Sequence, residues 1–202
     1  MPENNHFFVD GSCLLSDISS IKSKPEFASK KLDIIKFAKL FCGTLTERLH
    51  GGVYIRFVVY FVERENRIGD NIILPTFEEP GRVEDFQIKY CGKRVPGSVT
   101  VERWISEHNP PPKVLEKLHK SEKAVDTQIC CDALQLVSCG KLDRLFLYTN
   151  DYDFIPLCRT LKSLGSNISL FKLRKKSVNK DLVKECDTFT VAPEAQLSSM
   201  FV

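Results

Sequence analysis

No apolar run in this chain approaches the ~18 residues that would cross a bilayer. Its start, MPENNHFFVDG, has neither the basic nor the apolar region of a signal peptide, so the expected location is the cytoplasm. None of the eight cysteines forms a C-x-x-C pair, and the adjacent Cys130 and Cys131 do not readily face one ion from a helix. Together with the lack of clustered histidines, this sets a structural zinc site aside, and a reducing compartment sets disulfides aside. No glycine-rich phosphate loop follows the first strand-like run, which counts against a Rossmann-type enzyme. Internal repeats and low-complexity tracts are missing as well. The formal net charge of +3 is too small to identify a nucleic-acid partner, so the placement of the basic residues matters more than their sum.

What is present is an ordinary globular composition over 202 residues, 43% apolar and 27% charged, enough for a single domain with a substantial core. Strand-like and helix-like stretches alternate. FFV, within His6–Asp10, reads as a short strand that ends on Asp10. Phe27–Leu49 has helical periodicity, and GGVYIRFVVYFV (Gly51–Val62) is β-branched and aromatic. Ala124–Cys139 is helical and stops at Gly140. Leu142–Tyr148 is a strand, Ile155–Leu164 a helix before Gly165, and Asn167–Leu173 a further strand. Such alternation predicts an α/β fold: three layers, with a central, mainly parallel sheet between helices. Glu63–Lys123 breaks the pattern with turn signals. It reads as an insertion, at about 63–120, built as a hairpin from Phe86–Tyr90 and Ser98–Ile105 and then a helix from Val114. The last ten or so residues read as a mobile tail on which Phe201 is the one docking candidate.

Functional residues of parallel sheets collect at the carboxyl ends of strands. Asp10 ends the first strand, and LFLYTNDYDFIPL sets Asp151 and Asp153 directly after a later one. Two like charges so close disfavour each other's ionisation, and a turn needs only one Asx residue, so a cation is expected beside them. Asp126, in EKAVDTQICCD, is a third source of negative charge. Four carboxylates without matching fixed cations suit a hard divalent ion, Mg²⁺ or Mn²⁺, which orients phosphate oxygens and lowers the pKa of water. Each acid has a plainer reading: Asp10 as a strand-end turn, Asp126 as a helix cap, Asp151 or Asp153 as turn residues. Asp132 lies six residues beyond Asp126, about 240° around a helix, and does not share its direction.

The stretches FVDGS, KAVDTQICCDALQLV and LYTNDYDFIPLCRTLKSLGSNISLF resemble the NYN domain, a branch of the PIN-like nuclease fold. The resemblance implies one catalytic domain over 1–202 and metal-dependent hydrolysis of RNA phosphodiesters. It makes Asp10, Asp126, Asp151 and Asp153 the catalytic and metal-binding carboxylates, with Asp132 a further acidic position of the motif. Thr149 and Asn150 would shape their loop, and Ser12 would meet the substrate; Lys123, by its place near Asp126, reads either as a surface residue or as a phosphate contact. One departure is Cys13, where family members often carry Asn, a poorer exchange because a thiol does not replace an amide in orienting phosphate or water. RNA is the expected partner, with a homo-oligomer or a regulatory protein as further candidates and no membrane.

Two other stretches bear on that expectation. KLRKKSVNKDLVK (Lys172–Lys184) is rich in basic residues, and Arg174, Lys175 and Lys176 are its candidates for guiding an RNA backbone; its plain reading is a solvated surface. Trp104, beside Arg103, reads either as a base-stacking platform or as packing for the insertion. The rival to a ribonuclease is a PIN-like module that binds RNA or protein without cutting. A structure-specific DNA nuclease is a third reading, against which the absence of an evident DNA clamp counts.

Overall fold

The computed structural model of the chain describes residues 4–48, 53–62, 67–75, 86–91, 93–94, 107–108, 122–175 and 178–202. Among these, strands β1 (Asn4–Asp10), β3 (Val53–Phe61), β5 (Phe86–Tyr90), β8 (Arg144–Tyr148), β9 (Asn167–Lys172) and β10 (Thr188–Val191) form one sheet. Its order is β10-β9-β8-β1-β3-β5, and every neighbouring pair is parallel. The central strands carry near-continuous apolar runs because helices cover both of their faces.

One face packs Phe7, Val9, Phe57, Val59, Phe61, Phe146, Tyr148 and Phe171 under α1 (Gly11–Ile21), α2 (Ile34–Arg48) and the C-terminal α7 (Glu194–Met200). The opposite face packs Phe8, Val58, Tyr60, Leu145, Leu147, Ile168 and Leu170 under α4 (Val125–Ser138), α5 (Ile155–Ser163) and α6 (Lys180–Glu185). This is the expected three-layer α/β architecture.

Four local features add to or depart from what the sequence suggests. First, Gly11–Ile21 is a helix, although its serines and β-branched residues obscure the pattern. Leu14, Leu15, Ile18 and Ile21 still share a buried stripe, and Asp10 caps the first turn. Second, the helix expected from Phe27 begins only at Ile34. Pro25–Phe27 makes a 3-10 turn, and β2 (Leu32–Asp33) pairs with β4 (Ile72–Ile73), which follows the short α3 (Arg67–Asn71). Asp33 then caps α2 by accepting from the N–H groups of Ile35 and Lys36, both at 3.0 Å.

Third, Phe86–Tyr90, expected as one arm of an inserted hairpin, joins the main sheet. It is β5, the parallel edge strand beside β3, and Phe86 stacks on Phe57 there. The local antiparallel pair is instead β6 (Lys93–Arg94) with β7 (Glu122–Lys123). The expected strand over Ser98–Ile105, the helix from Val114 and Trp104 lie outside the described residues.

Fourth, the C-terminus is anchored. Met200 and Phe201 are buried, the Phe201 ring meets Phe27 edge-on at 5.2 Å, and Lys31 and Val202 exchange two backbone hydrogen bonds.

The topology also decides where Asp10 and Asp151 stand relative to each other. The chain leaves β1 and builds outward through β3 to β5, then returns to the other side of β1 to build β8, β9 and β10. Connections from β1 and β8 therefore run to opposite sides, and a crevice opens at the carboxyl ends of these two adjacent strands. Asp10 ends one of them; Thr149-Asn150-Asp151 leaves the other.

Candidate functional site

Asp10 is almost wholly buried at the end of β1. Its Oδ1 accepts from the N–H groups of Ser12 (3.0 Å) and Cys13 (3.2 Å), so the first turn of α1 orients the carboxylate. Its Oδ2 accepts from the Thr149 hydroxyl at 3.0 Å. That same hydroxyl oxygen accepts from the Asp151 N–H at 3.2 Å. One buried threonine thus ties the two strand ends together and sets the spacing of their acids. Thr149 has no exposed surface, so it positions the aspartates rather than meeting a substrate. Gly11 is required by the same packing. A Cβ there would lie 2.2 Å from the Phe61 ring and 2.4 Å from the Tyr60 carbonyl oxygen.

Asp151 caps a 3-10 turn, Tyr152–Phe154, its Oδ1 accepting from the Asp153 N–H at 2.9 Å. Phe154 is buried and pins the turn, whereas Asn150 and Asp153 are exposed. Asp126 is exposed in the first turn of α4. Because α4 leads into β8, a strand parallel to β1, this first turn stands at the same carboxyl rim. Asp126 does not cap its helix: the cap position is Ala124, at φ 84°, the only non-glycine with positive φ among the described residues. Strain of this kind is commonly retained next to functional groups.

Asp132 is engaged elsewhere. It sits about 9 Å further along α4 than Asp126. It accepts hydrogen bonds from Tyr60 (2.7 Å), Gln128 (2.9 Å) and Lys89 (2.5 Å). Burial by itself would raise its pKa, but the bonds from Lys89, Tyr60 and Gln128 outweigh that and hold the carboxyl below its usual value. The Tyr60 hydroxyl is pushed up, by burial first and by Asp132 second. This cluster joins β3, β5 and α4, and Asp132 reads as a structural anion within it.

Under Asp10 lies a cluster with no sequence signature. Lys172, expected on a basic surface, has no exposed surface at all. Its ammonium lies 2.9 Å from buried Asp17, 2.7 Å from Cys13 Sγ and 4.4 Å from the centre of the Tyr148 ring. Tyr148 donates its hydroxyl to Asp17 at 2.5 Å, and burial, with the Asp17 charge second, raises its pKa well above the ordinary value. Burial also pushes the Cys13 thiol up to about 12 despite the pull of Lys172, so it is neutral at physiological pH. Cys13 therefore faces the core through its sulfur and Asp10 through its N–H. The remaining basic residues differ from one another. Arg174 is half-buried, Lys175 and Lys180 are exposed, and exposed Lys184 pairs with Asp181 at 2.8 Å. Lys176 and the side chain of Lys123 lie outside the described residues.

Sequence comparison supplies the family. The model of the NYN domain matches residues 64–194. The chain belongs to the NYN domain family. That match takes in Asp126, Asp151 and Asp153, while Asp10 and α1 precede it; the pairing of β1 with β8 is what brings Asp10 beside the segment that carries Asp151. No curated protein matches the chain. Among solved structures, a protein of unknown function from Vibrio parahaemolyticus has a similar fold, with a TM-score of 0.51 over 99% of this chain and 97% of that one. Its sequence identity is 12%, so the likeness is one of fold alone.

As an NYN domain, the protein has the PIN-like nuclease fold, a class that typically uses divalent metals. The donors at its rim are of the right chemistry: carboxylate oxygens, at least two of them on a common scaffold. Among the described residues, no three His, Cys, Asp or Glu side chains come close enough to enclose an ion together.

Proposed function

We propose that this NYN domain is a metal-dependent endoribonuclease whose centre is the β1–β8 crevice. The observation that carries the reading is the Asp10–Thr149–Asp151 linkage at the point where the sheet reverses its order. Each carboxylate caps the turn that follows its strand, but capping does not call for the two strand ends to be tied together through one buried threonine. Two carboxylates held in this way suit a hard cation.

Asp10 and Asp151 would hold Mg²⁺ or Mn²⁺, with exposed Asp126 and Asp153 on the rim beside them. The ion supplies charge stabilisation at a phosphodiester and makes water a better nucleophile at neutral pH. The chain's own contribution is orientation. The α1 N–H groups and Thr149 fix Asp10, and the 3-10 turn fixes Asp151. Asp153 and Asp126 would help to orient the attacking water. Ser12, half-buried behind Asp10, and exposed Asn150 flank the crevice as substrate contacts. Exposed Lys175, with Arg174 beside it after β9, offers charge to the RNA backbone without regard to sequence.

The test is incubation of the purified protein with mixed RNA and DNA in Mn²⁺, in Mg²⁺ and in chelator. RNA should be cut only with metal, and Asp151→Asn should abolish cutting. Because that change removes one of several repelling carboxylates, the metal-free variant should melt no lower than the wild type. Wild-type rates from Asp151→Asn would refute the assignment.

A second reading is a PIN-like module that binds RNA or protein without cutting. The separation of the acids favours it, since two carboxylates plus water hold a cation more weakly than a closed cage. RNA binding without metal-dependent cleavage would decide for it.

A further inference from the structure

We propose that Tyr152 is a base-stacking platform through which the site takes unpaired nucleotides, an inference that rests on the nucleic-acid reading of the β1–β8 crevice. Tyr152 lies between Asp151 and Asp153 and is 63% exposed, the most exposed of the large hydrophobic side chains described. Single exposed apolar residues are common and need no explanation by themselves. Tyr152 differs from its peers in how it is held and where. Leu164 (57%) ends α5, at the opposite end of the sheet, and Tyr90 (49%) lies against the Phe61 ring at 6.3 Å. Among the described residues, Tyr152 has neither an aromatic neighbour nor a hydrogen-bond partner for its hydroxyl.

Its backbone is nevertheless fixed. Asp151 caps the turn from one side, and Phe154, 1% exposed, anchors it in the core from the other. α6 packs against the same turn. A ring carried on so firmly held a backbone has only two side-chain torsions left to order on binding, which keeps the entropic cost of stacking low. Its Cα is one residue, about 3.8 Å, from each of two candidate metal-binding aspartates. A base laid on this ring would place its own phosphate beside them. Stacking uses the π-face that every base possesses, so the preference would be for unpaired strands and not for any one sequence. In a duplex the bases stack on each other and their faces are closed to the ring.

The experiment measures binding of a short labelled RNA by fluorescence anisotropy, in chelator so that no strand is cut. Tyr152→Ala should weaken binding of single-stranded RNA by roughly ten-fold, and Tyr152→Phe, which keeps the ring, should bind like the wild type. A strand of equal charge with abasic positions should not distinguish Tyr152→Ala from wild type, which separates stacking from a general loss of structure. Leu164→Ala, an equally exposed change at the far end of the sheet, should leave affinity alone. Equal affinity of Tyr152→Ala and wild type for the single strand would overturn the stacking role while leaving the nuclease reading intact. A wild-type protein that holds no RNA in chelator and cuts none in Mn²⁺ would overturn both.

Discussion

Replacing Lys172 by Met keeps an unbranched stem of similar length and removes the ammonium that lies 2.9 Å from Asp17. Asp17 is 2% exposed and Lys172 fully buried, so water cannot take over the lost interaction. Tyr148 still donates to Asp17, but a neutral hydroxyl does not balance a full charge. Breaking a buried pair from one side costs about 3–5 kcal/mol, because the partner's charge remains desolvated and uncompensated. For a domain of this size each kcal/mol lowers the melting temperature by about 2–4 °C, so Lys172→Met should melt roughly 6–20 °C below the wild type. Adding Asp17→Asn removes the orphaned charge yet keeps an acceptor for the Tyr148 hydroxyl. The double variant should therefore recover most of the loss, since replacing both members of a buried pair is often close to neutral. Thermal melting of the wild type, both single variants and the double variant closes this cycle. If Lys172→Met melts with the wild type, or if the double variant is as poor as the sum of the singles, the buried pair is not the interaction described.

Other outcomes follow from the same geometry. Gly11→Ala forces a methyl into the Phe61 ring and the Tyr60 carbonyl, and a backbone oxygen has little room to retreat. A loss of about 3 kcal/mol is expected, at the upper end for overpacking, and denaturant unfolding reads it; an unchanged midpoint would mean that α1 does not sit so close to β3. Asp132, whose folded pKa is depressed, contributes stability that is fully present above the ordinary carboxylate range and is lost as pH falls below about 4. Asp132→Asn should lower stability at neutral pH and flatten the acid limb of the stability–pH curve, and an unchanged limb would sink that assignment.

The local chain was sufficient to determine most of the sheet and half of the site. Parallel strands covered on both faces carry dense apolar runs, so β1, β3, β8 and β9 stand out by composition alone. Asp10 and Asp151 stand out because a charge that directly follows such a run must sit at a strand end. Gly140 and Gly165, both at positive φ, mark helix ends for an equally local reason. Where neighbours distant in sequence decide, the same reading fails. Phe86–Tyr90 pairs in parallel with β3, a neighbour some thirty residues away that nothing local announces. The C-terminal residues are ordered by Phe27, Leu32 and the Lys31 backbone, more than 160 positions away in the chain. Lys172 looks like the first of a basic run, yet it closes β9 with its side chain fully buried, and Asp17 from α1 meets its charge there. Asp132 matches an acidic motif position, but Lys89 on the edge strand claims it. Sequence determines which groups are available and which face of its own element each occupies. Which opposite charge, hydroxyl or ring stands across from it is fixed only when separate elements pack. For that reason the two hydrogen bonds by which Thr149 links Asp10 to Asp151, and the burial of the lysine beneath them, belong to the tertiary structure alone.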